Sequence, residues 1–377
     1  MNINNYKSGV YKQQYKYKSF SPQKINIKWE ISDLELIGLL SNADIKLGEL
    51  NAFSQLIPDI DFFIKMHVSK EATQSSKIEG TRTNIKEVLQ KQETLNPEKR
   101  DDWQEVHNYI SAMNFSIKEL KKLPVSTRLI KKTHKILLSG SRGKNKQPGE
   151  YRKSQNWIGG ASINDAVFVP PHHEEINELI SDLEKFLNND RDNLPYLIKA
   201  GISHYQFETI HPFLDGNGRI GRLLITLYLI DNGLLIKPCL YLSDYFEKNR
   251  NLYYDNLTRA RTHNDLKQWL IFFLEGIYQT SQSAIDTFKK IIELRENVEK
   301  KKIATLGKRI KIALLLMNHL YSKPLIEPME AAEVLKVNIS TANRLIDELV
   351  KLSILEEITG FKRNRIFIFK EYLDLFG

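Results

Sequence analysis

The sequence is 377 residues long and 41% hydrophobic, which predicts two or three globular domains with sizeable cores and excludes a largely disordered chain. Lys and Arg number 55 against 46 Asp and Glu, so the formal net charge of +9 favours anionic partners such as nucleotides, nucleic acids or acidic protein surfaces. A single cysteine, Cys239, excludes an intramolecular disulfide framework and a cysteine-rich zinc site, as a reducing compartment allows.

Neither the first residues nor the apolar runs carry a targeting or membrane signal. The opening segment is positively charged but contains no apolar stretch of the kind that a signal peptide needs. The longest apolar runs, such as residues 223–230, are far shorter than the roughly 18 residues that span a bilayer. We therefore expect a cytoplasmic protein that does not interact with membranes.

Residues 1–104 are predicted to form an N-terminal arm and a helical layer. The first 27 residues are rich in Lys, Asn, Tyr and Gln without a period, which indicates an arm or an extended edge segment. Apolar residues then recur at helical spacing from Asp33 to Pro58, and a second helix begins near Asp61. A third helix follows a threonine-rich stretch, where Thr83 can cap its first turn.

Residues 105–285 are predicted to be a helical core that is interrupted once by β-structure. Helices are expected over residues 103–120, 126–138, 174–187, 195–210, 218–231, 245–261 and 265–295. Glycines and prolines bracket two short β-prone runs, 156–158 and 166–169, which predict a hairpin.

The C-terminal part is predicted to be a basic connector helix, residues 286–307, and a winged helix, residues 308–377. Residues 289–311 hold nine Lys or Arg against three Glu, which indicates an exposed helix or linker. Three short helices are then expected over residues 310–320, 331–335 and 339–352, followed by β-prone runs at 354–358 and 365–369. The fold class is therefore mainly α, with a C-terminal winged helix-turn-helix.

The most informative segment runs from His211 to Arg222 and reads HPFLDGNGRIGR. Gly216 to Gly221 match the dinucleotide-binding pattern G-x-G-x-x-G, but that fingerprint requires a preceding strand, whereas a helix is predicted here. A P-loop is excluded as well, because no Gly-Lys-[Ser/Thr] follows the glycines.

The residue types of this segment nevertheless suit the binding of phosphates. Two glycines separated by one residue allow backbone N–H groups to form a concave anion site at the positive end of a helix. Arg219 and Arg222 lie three residues apart and can each hold phosphate oxygens in a fork. Asp215 supplies a hard oxygen of the kind that Mg²⁺ prefers, and His211 has a side chain suited to remove a proton near neutral pH.

The same segment resembles the signature of the Fic (filamentation induced by cAMP) family, H-x-F-x-[DE]-G-N-G-R-x-x-R, and every defined position matches. The similarity of pattern extends over most of the chain, from the N-terminal helices to the winged helix. Enzymes of that family transfer AMP from ATP to a Ser, Thr or Tyr hydroxyl of a protein and release pyrophosphate. The resemblance thus implies a Fic-type helical core with a small β-hairpin flap, and a nucleotidyltransferase activity.

The resemblance also implies a role for each residue of the segment. His211 would be the general base on the target hydroxyl, Phe213 an apolar anchor of the loop and Asp215 the ligand of Mg²⁺. The residues that would bind the phosphates of ATP are Gly216, Asn217, Gly218, Arg219 and Arg222.

Two further segments acquire roles through the resemblance. The predicted hairpin corresponds to the flap that holds the target in line, although a plain structural hairpin is the alternative. Its clamp residues would be Ile158, Val167 and Phe168. Tyr253 and Tyr254 resemble the aromatic pair that lines the adenine pocket of relatives. Arg261 stands where some relatives have Asn, which leaves a strict preference for adenine open.

Residues 75–80, SSKIEG, resemble the inhibitory motif [ST]-x-x-x-E-[GN], with Ser75, Glu79 and Gly80 at the defined positions. Taken alone, such a short motif is better explained as a solvated, serine-rich helix end, but its position N-terminal to the full signature favours the inhibitory role. The mechanism that the resemblance implies is an ion pair between Glu79 and Arg222, which removes the arginine that should hold the γ-phosphate. In some relatives the same glutamate orients a water that removes AMP, so the direction of the net reaction stays open.

Three functions are compatible with the sequence. The leading hypothesis is a self-inhibited protein adenylyltransferase that uses ATP and Mg²⁺, acts on a protein with an accessible hydroxyl group and can modify itself. A third hypothesis, also an enzyme, is removal of AMP through Glu79 or transfer of a different phosphoryl group.

The second hypothesis is a DNA-binding regulator whose core senses nucleotide. Residues 340–344 lie where a helix-turn-helix contacts bases, and Lys362, Arg363 and Arg365 are placed for phosphate. Residues 308–377, however, hold 11 basic and 9 acidic residues, a net charge of only +2. Since phosphate neutralisation supplies most nonspecific affinity, this balance favours a surface for target docking or for a homodimer over DNA binding.

Overall fold

A computed structural model of the chain describes residues 1–140, 142–189, 193–360 and 365–376. Over these residues the protein is mainly helical, as the sequence predicts, and its strands form one two-stranded and one three-stranded sheet. No helix in the described ranges is both long and apolar enough to cross a membrane.

The N-terminal part is a short hairpin followed by three helices. The segment predicted to be extended forms an antiparallel pair, β1 (Gly9–Gln13) and β2 (Lys18–Pro22). The helices are α1 (Leu34–Leu56), α2 (Ile60–Ile78) and the short α3 (Ile85–Val88).

The predicted cap of α3 is wrong by one residue. The side chain of Asn84, and not that of Thr83, accepts a hydrogen bond from the N–H of Glu87, while the Glu87 carboxylate accepts one from the N–H of Asn84. This reciprocal arrangement satisfies two N–H groups that the helix leaves free, which explains why the helix begins after Asn84.

The helical core contains α4 (Arg100–Glu119), α5 (Thr127–Leu137), α6 (Ile176–Leu187), α7 (Tyr196–Ile210), α8 (Asn217–Asp231), α9 (Ser243–Lys248), α10 (Arg250–His263) and α11 (Leu266–Glu296). Residues 245–261 were expected to be one helix and are two. Asn249 leaves helical geometry (φ −112°, ψ 35°), and its side-chain amide donates to the carbonyl of Tyr245. α7 lies at the centre, since all of its residues after Tyr196 are buried.

The predicted flap hairpin, residues 156–169, contains one pair of bridged residues rather than two strands. Ile158 and Phe168 exchange backbone hydrogen bonds of 2.8 and 3.1 Å. The Asp165 carboxylate holds the turn, because it accepts hydrogen bonds from the Ser162 hydroxyl and from the N–H groups of Ala161 and Ser162. These bonds lower the pKa of Asp165 to about 2.

The C-terminal part contains α12 (Ile310–Ser322), β3 (Leu325–Ile326), α13 (Pro328–Leu335), α14 (Ile339–Lys351), β4 (Glu356–Glu357), β5 (Phe367–Ile368) and α15 (Lys370–Leu373). The strands form an antiparallel sheet of order β3-β5-β4. The three helices and the last two strands follow one another as expected, whereas β3 and α15 were not predicted, and the winged-helix assignment stays a prediction. Lys362 and Arg363 lie outside the described residues.

The division of the chain into domains also stays a prediction. The proposed boundaries at 104/105 and 285/286 fall inside α4 and α11. α11 continues into a π-helical turn, Asn297–Lys302, and a 3₁₀ segment, Ile303–Arg309. This connector is not exposed on all sides, because Leu294, Val298 and Ile303 are buried.

The C-terminal elements pack directly against α2. The rings of Phe63 and Tyr321 lie 5.4 Å apart, and those of His67 and Phe376 lie 5.0 Å apart. Helix α2, which ends in the predicted inhibitory motif, is thus held between the helical core and the C-terminal part.

Candidate active site

The segment that joins α7 to α8 is a tight loop with two residues in left-handed conformation. His211 has φ +49° and donates its N–H to the carbonyl of Phe207, and Gly216, which precedes α8, has φ +76°. The side chain of Asn217 bonds to both the N–H and the carbonyl of Phe213, at 2.8 and 2.9 Å. Asn217 therefore fixes the loop from within, and the buried Phe213 ring anchors it to the core.

Arg152, which the sequence analysis did not identify, holds the backbone of His211. Its side chain is buried and donates from Nε to the carbonyl of His211 at 3.0 Å and from Nη2 to that of Pro171 at 2.6 Å. Burial lowers the pKa of Arg152 to about 10, which leaves the guanidinium charged at neutral pH. No motif links Arg152 to a residue 59 positions away, so only the fold identifies it.

His134 is a second supporting residue that the sequence analysis missed. Its ring stacks on Phe213 with the centroids 3.7 Å apart and an angle of 8° between the planes. The N–H of Gly149 donates to His134 Nδ1 at 2.8 Å, so Nε2 carries the proton and donates to the carbonyl of Asp215 at 2.9 Å. Burial lowers the pKa of His134 to about 4, so the ring is neutral and keeps this tautomer at pH 7.

Asp215 offers one oxygen that a metal ion could use. Its Oδ1 accepts hydrogen bonds from Gly216 N–H at 2.5 Å and from Arg219 at 3.3 Å, whereas Oδ2 has no hydrogen bond among the described residues. The side chain is 44% exposed. One accessible carboxylate oxygen beside an anion site fits Mg²⁺, which takes one or two carboxylates and completes its shell with water and phosphate oxygens.

Arg219 is buried beside this carboxylate. It forms an ion pair with Glu105 of α4 at 3.0 Å in addition to its contact with Asp215. Two carboxylates therefore hold the guanidinium of Arg219 at the start of α8.

A separate group of possible metal ligands lies at residues 172–174. Among the described residues, His172, His173 and Glu174 bring ligand atoms within 4.8 Å of one another, and this group does not include Asp215.

The carboxylate of Glu79 lies against the glycine loop. A Cβ atom added to Gly218 would lie 2.3 Å from Glu79 Oε1 and 2.9 Å from Arg222 Nη1, so a residue larger than glycine requires one of them to move. Glu79 Oε1 accepts a hydrogen bond from Arg222 Nη2 at 2.6 Å. Arg222 also donates from Nε to Ser75 Oγ and from Nη2 to Ser75 O, both at 2.9 Å. Gly80, with φ +107°, follows where α2 ends.

The ion pair between Glu79 and Arg222 is charged at neutral pH. The Arg222 side chain is 1% exposed and that of Glu79 is 33% exposed. Burial raises the pKa of Glu79, but the charge of Arg222 outweighs this effect and holds the pKa below its ordinary value. Burial likewise opposes the charge on Arg222, and the neighbouring Glu79 carboxylate holds its pKa above the usual range.

His211 is neutral at pH 7. Burial, followed by the charge of Arg152, lowers its pKa to about 4. Its Nδ1 is buried and has no hydrogen-bond partner among the described residues, while the residue as a whole is partly exposed. Nε2 is therefore the ring nitrogen that is available to accept a proton.

Glu208 is a second buried carboxylate near Arg222. A Cβ atom on Gly221 would lie 2.2 Å from Glu208 Oε1, and no hydrogen bond to Oε1 is present in the described part of the chain. Burial raises the pKa of Glu208 to about 7, although the charge of Arg222 opposes this shift. Glu208 lies outside the motifs that identify the loop in the sequence.

The two tyrosines assigned to the adenine pocket lie in different environments. Tyr253 is 1% exposed, stacks on Phe246 at 4.5 Å and bonds through its hydroxyl to His204 Nε2 at 2.9 Å. Tyr254 is 39% exposed, so it is the ring of this pair that is open to a ligand. Arg261 lies with its guanidinium 4.0 Å from the ring centroid of Phe168.

The flap is joined to the loop at its base. Asn156 donates to the carbonyl of Phe213 at 3.0 Å. Of the predicted clamp residues, Phe168 is buried, Ile158 is half-buried and Val167 is exposed. Val167 is thus the clamp residue that is open to solvent, and Trp157 of the same flap is also 42% exposed.

A cavity of about 640 Å³ lies away from this loop. It is lined by residues of α2 and α4 and by Lys323, and it includes no residue of the segment from His211 to Arg222. The loop and the residues that support it thus lie outside this cavity.

Two family models match the chain. The model described as Fic/DOC family N-terminal matches residues 37–118, and the one described as Fic/DOC family matches residues 124–229. The second match contains the whole loop and both supporting residues, Arg152 and His134.

Curated relatives carry the name protein adenylyltransferase. A probable protein adenylyltransferase of Aquifex aeolicus is 42% identical over 88 residues, 23% of this chain and 26% of that protein. The protein adenylyltransferase Fic of Aedes aegypti is 32% identical over 133 residues (35% and 24%), and that of Drosophila mojavensis is 26% identical over 255 residues (64% and 46%). The chain thus spans a quarter to less than half of the length of these relatives.

Solved structures share the fold. A Fic family protein from Desulfovibrio desulfuricans superimposes with a TM-score of 0.57 at 19% identity, over 90% of this chain and 96% of that one. A Fic domain containing signaling protein from Bacteroides thetaiotaomicron gives a TM-score of 0.53 at 21% identity, over 66% and 95%. The prediction of a mainly α, Fic-type fold is confirmed.

Proposed function

Because the chain belongs to the Fic/DOC family, we propose that it is a self-inhibited protein adenylyltransferase, which transfers AMP from ATP to a hydroxyl group of a protein. The observation that carries the proposal is that one loop joins a neutral histidine, an exposed carboxylate and two buried arginines at the start of a helix. These groups are His211, Asp215, Arg219 and Arg222.

His211 is the base in this proposal. Its neutral Nε2 accepts the proton of the target hydroxyl while the oxygen bonds to the α-phosphorus of ATP and the bond to pyrophosphate breaks. The backbone hydrogen bond from Arg152 to the carbonyl of His211 keeps the ring in place. Catalysis of this kind depends on positioning and on stabilising charge, which a rigid loop provides.

The phosphates lie at the beginning of α8. The N–H groups of Asn217 and Gly218 lie in the first turn of α8, at the positive end of the helix, and Arg219 and Arg222 add two charges. The Gly216 N–H donates to Asp215 Oδ1. Asp215 would hold Mg²⁺ through Oδ2, and the bound ion supplies charge neutralisation of the phosphates.

Glu79 blocks this arrangement. Its carboxylate forms an ion pair with the guanidinium of Arg222. The same carboxylate lies within contact distance of Gly218, where the phosphates would bind. Keeping 99% of the molecules inactive requires only about 2.7 kcal/mol, which one partly buried ion pair with a second hydrogen-bonding partner at Ser75 can provide.

Incubation with α-labelled ATP and Mg²⁺ tests the proposal. We expect Glu79→Gly to label itself at least about tenfold more than wild type, and Glu79→Gln to do the same because it loses the charge at constant size. The double variant Glu79→Gly/His211→Ala should bind ATP but carry no label.

Variant His263→Ala, in an exposed position, is the matched control for the loss of a histidine in the Glu79→Gly background. Labelling of the double variant at the Glu79→Gly level contradicts the assignment of the base. Equal labelling of wild type and Glu79→Gly contradicts self-inhibition.

A further inference from the structure

The first 29 residues of the chain are unusually basic. They contain six lysines and neither aspartate nor glutamate, a net charge of +6. Two of these lysines are paired, Lys12 with Glu175 and Lys24 with Glu178. Those that are exposed and have no ion pair among the described residues are Lys7, Lys16, Lys18 and Lys28.

The hairpin formed by β1 and β2 lies beside the flap. The N–H of Phe20 in β2 donates to the carbonyl of Val169 at 2.9 Å, and the preceding residue, Phe168, pairs with Ile158 on its other side. From one side to the other, the neighbouring segments are therefore Ile158, residues 168–169, β2 and β1. Aromatic rings of Tyr11, Phe20 and Phe168 follow the same order, with centroids 5.2 and 5.9 Å apart.

The tip of the hairpin contacts the base of the flap. Tyr17 donates its hydroxyl to Gln155 Oε1 at 3.4 Å, and Gln155 lies three residues after Arg152, whose side chain holds His211. The hairpin and the flap therefore form adjoining surfaces, and a polypeptide long enough to extend past the base of the flap would meet the hairpin.

The outer strand of the hairpin is open. All residues of β1 after Gly9 are exposed, including Val10 at 60%, and Tyr15 in the turn is 94% exposed. Among the described residues β1 pairs only with β2, so its outer edge carries free backbone groups. Lysines commonly protect such an edge from aggregation, but protection does not require the absence of every acidic residue over 29 positions.

We propose that the hairpin of β1 and β2 is a docking surface for an acidic segment of the protein that receives AMP. The inference rests on the proposed function and names the class of its target. The flap holds the residues next to the hydroxyl group, and the lysines attract carboxylates farther along the same target chain. Such complementarity gives specificity and a faster association that salt weakens.

The test measures binding of a defined probe to the full chain without ATP. The probe is a fluorescein-labelled 15-residue peptide of Gly, Asp and Glu, which has no hydroxyl side chain, and its counterpart carries Asn and Gln at the acidic positions. Fluorescence anisotropy compares wild type with the triple variant Lys7→Glu/Lys16→Glu/Lys18→Glu. The triple variant Lys118→Glu/Lys121→Glu/Lys301→Glu is the matched control, since these lysines are also exposed and the net charge falls equally.

We expect the acidic peptide to bind wild type and the control variant, and the hairpin variant to bind at least about tenfold more weakly. Equal binding of the acidic and the neutral peptide, or equal weakening by both triple variants, overturns the proposal. A single-stranded DNA 20-mer and phosphatidylserine vesicles are measured in parallel. If either binds more tightly than the peptide and loses affinity in the hairpin variant alone, the surface serves that other class and the proposal is wrong.

A kinetic measurement separates this inference from the proposed function. In the Glu79→Gly background, a peptide that carries one Thr beside the acidic run is used as AMP acceptor. We expect the hairpin variant to raise KM at least about tenfold with kcat within about twofold. Absence of AMP transfer together with retained, hairpin-dependent peptide binding contradicts the proposed function and supports the docking surface.

Discussion

His211 has a left-handed backbone, which costs a residue other than glycine roughly 1–2 kcal/mol. The conformation is maintained because the carbonyl of His211 accepts a hydrogen bond from the buried Arg152, whose other donors hold Pro171 and Ser154. The position of the proposed base thus depends on a buried guanidinium whose hydrogen bonds go to backbone carbonyls.

We therefore expect Arg152→Met, in the Glu79→Gly background, to lower kcat for self-labelling at least about 100-fold while the KM for ATP changes less than about threefold. Arg152→Lys keeps the charge and should recover part of kcat. Arg259→Met, which removes an exposed arginine, is the control and should leave kcat unchanged. Equal losses in kcat and in ATP affinity would show that Arg152 supports the whole fold instead of orienting His211.

The sequence predicts the loop residues but not the residues that hold them. The segment from His211 to Arg222 is contiguous, so its spacing alone indicates a phosphate site. Arg152 and His134 reach the loop from other parts of the chain, through backbone carbonyls that any residue type presents. No pattern of residue types marks such a contact, and it becomes visible only in three dimensions.

At the scale of the helix, α2 is fixed to the core one turn before the inhibitory motif. Glu71 is buried, accepts hydrogen bonds from the Tyr109 hydroxyl of α4 and from the Ser243 hydroxyl and N–H at the start of α9, and lies four residues before Ser75. Burial raises the pKa of Glu71 although the bonds from Ser243 oppose this shift. The Glu71 contacts therefore set where Ser75 and Glu79 meet Arg222.

We expect Glu71→Ala to lower the free energy of unfolding by about 2–4 kcal/mol, because buried donors on Tyr109 and Ser243 lose their acceptor. The same variant should self-label more than wild type and less than Glu79→Gly. Urea unfolding and the α-labelled ATP assay measure the two effects. Glu49→Ala, in an exposed position of α1, should change stability by less than about 0.5 kcal/mol. If Glu71→Ala is less stable than wild type but labels itself to the same extent, the Glu71 contacts do not contribute to inhibition.

Long helices were predicted well, because apolar periodicity over several turns is a strong signal, as for α1 and α11. The errors arise where one side chain decides the local structure. Asn249 divides a predicted helix by bonding to the carbonyl of Tyr245, and Asp165 closes the flap turn in place of a strand ladder. Such local hydrogen bonds compete with periodicity and leave little trace in it.

At the scale of the whole molecule, the site is assembled from distant parts of the chain. Glu79 and Arg222 are 143 residues apart in sequence. Phe63 and His67 of α2 pack against aromatic rings of the C-terminal elements. Folding therefore buries several histidines along with these contacts. Those with a strongly lowered pKa are His67 and His204, at about 3, and His134 and His211, at about 4.

These histidines make the folded protein sensitive to acid. Each ionises near its ordinary pKa of 6.5 in the unfolded chain, but stays neutral in the folded protein down to about pH 3 or 4, so below pH 6.5 the unfolded state binds more protons. Their contribution to stability is therefore present above pH 6.5 and is lost as the pH falls toward the folded values. His67 is the best test, since it lies among aromatic rings outside the active site.

We expect His67→Leu to reduce the slope of unfolding free energy against pH, measured between pH 6 and 4.5 by urea unfolding, by about 1.4 kcal/mol per pH unit. At pH 7 the variant should be close to wild type, because both side chains are neutral and apolar contacts with Phe288 and Phe376 remain. His263→Leu, which changes an exposed histidine, should keep the wild-type slope. Identical slopes for His67→Leu and wild type would mean that His67 takes up its proton in the folded protein, which requires the C-terminal elements to open from α2 in mild acid.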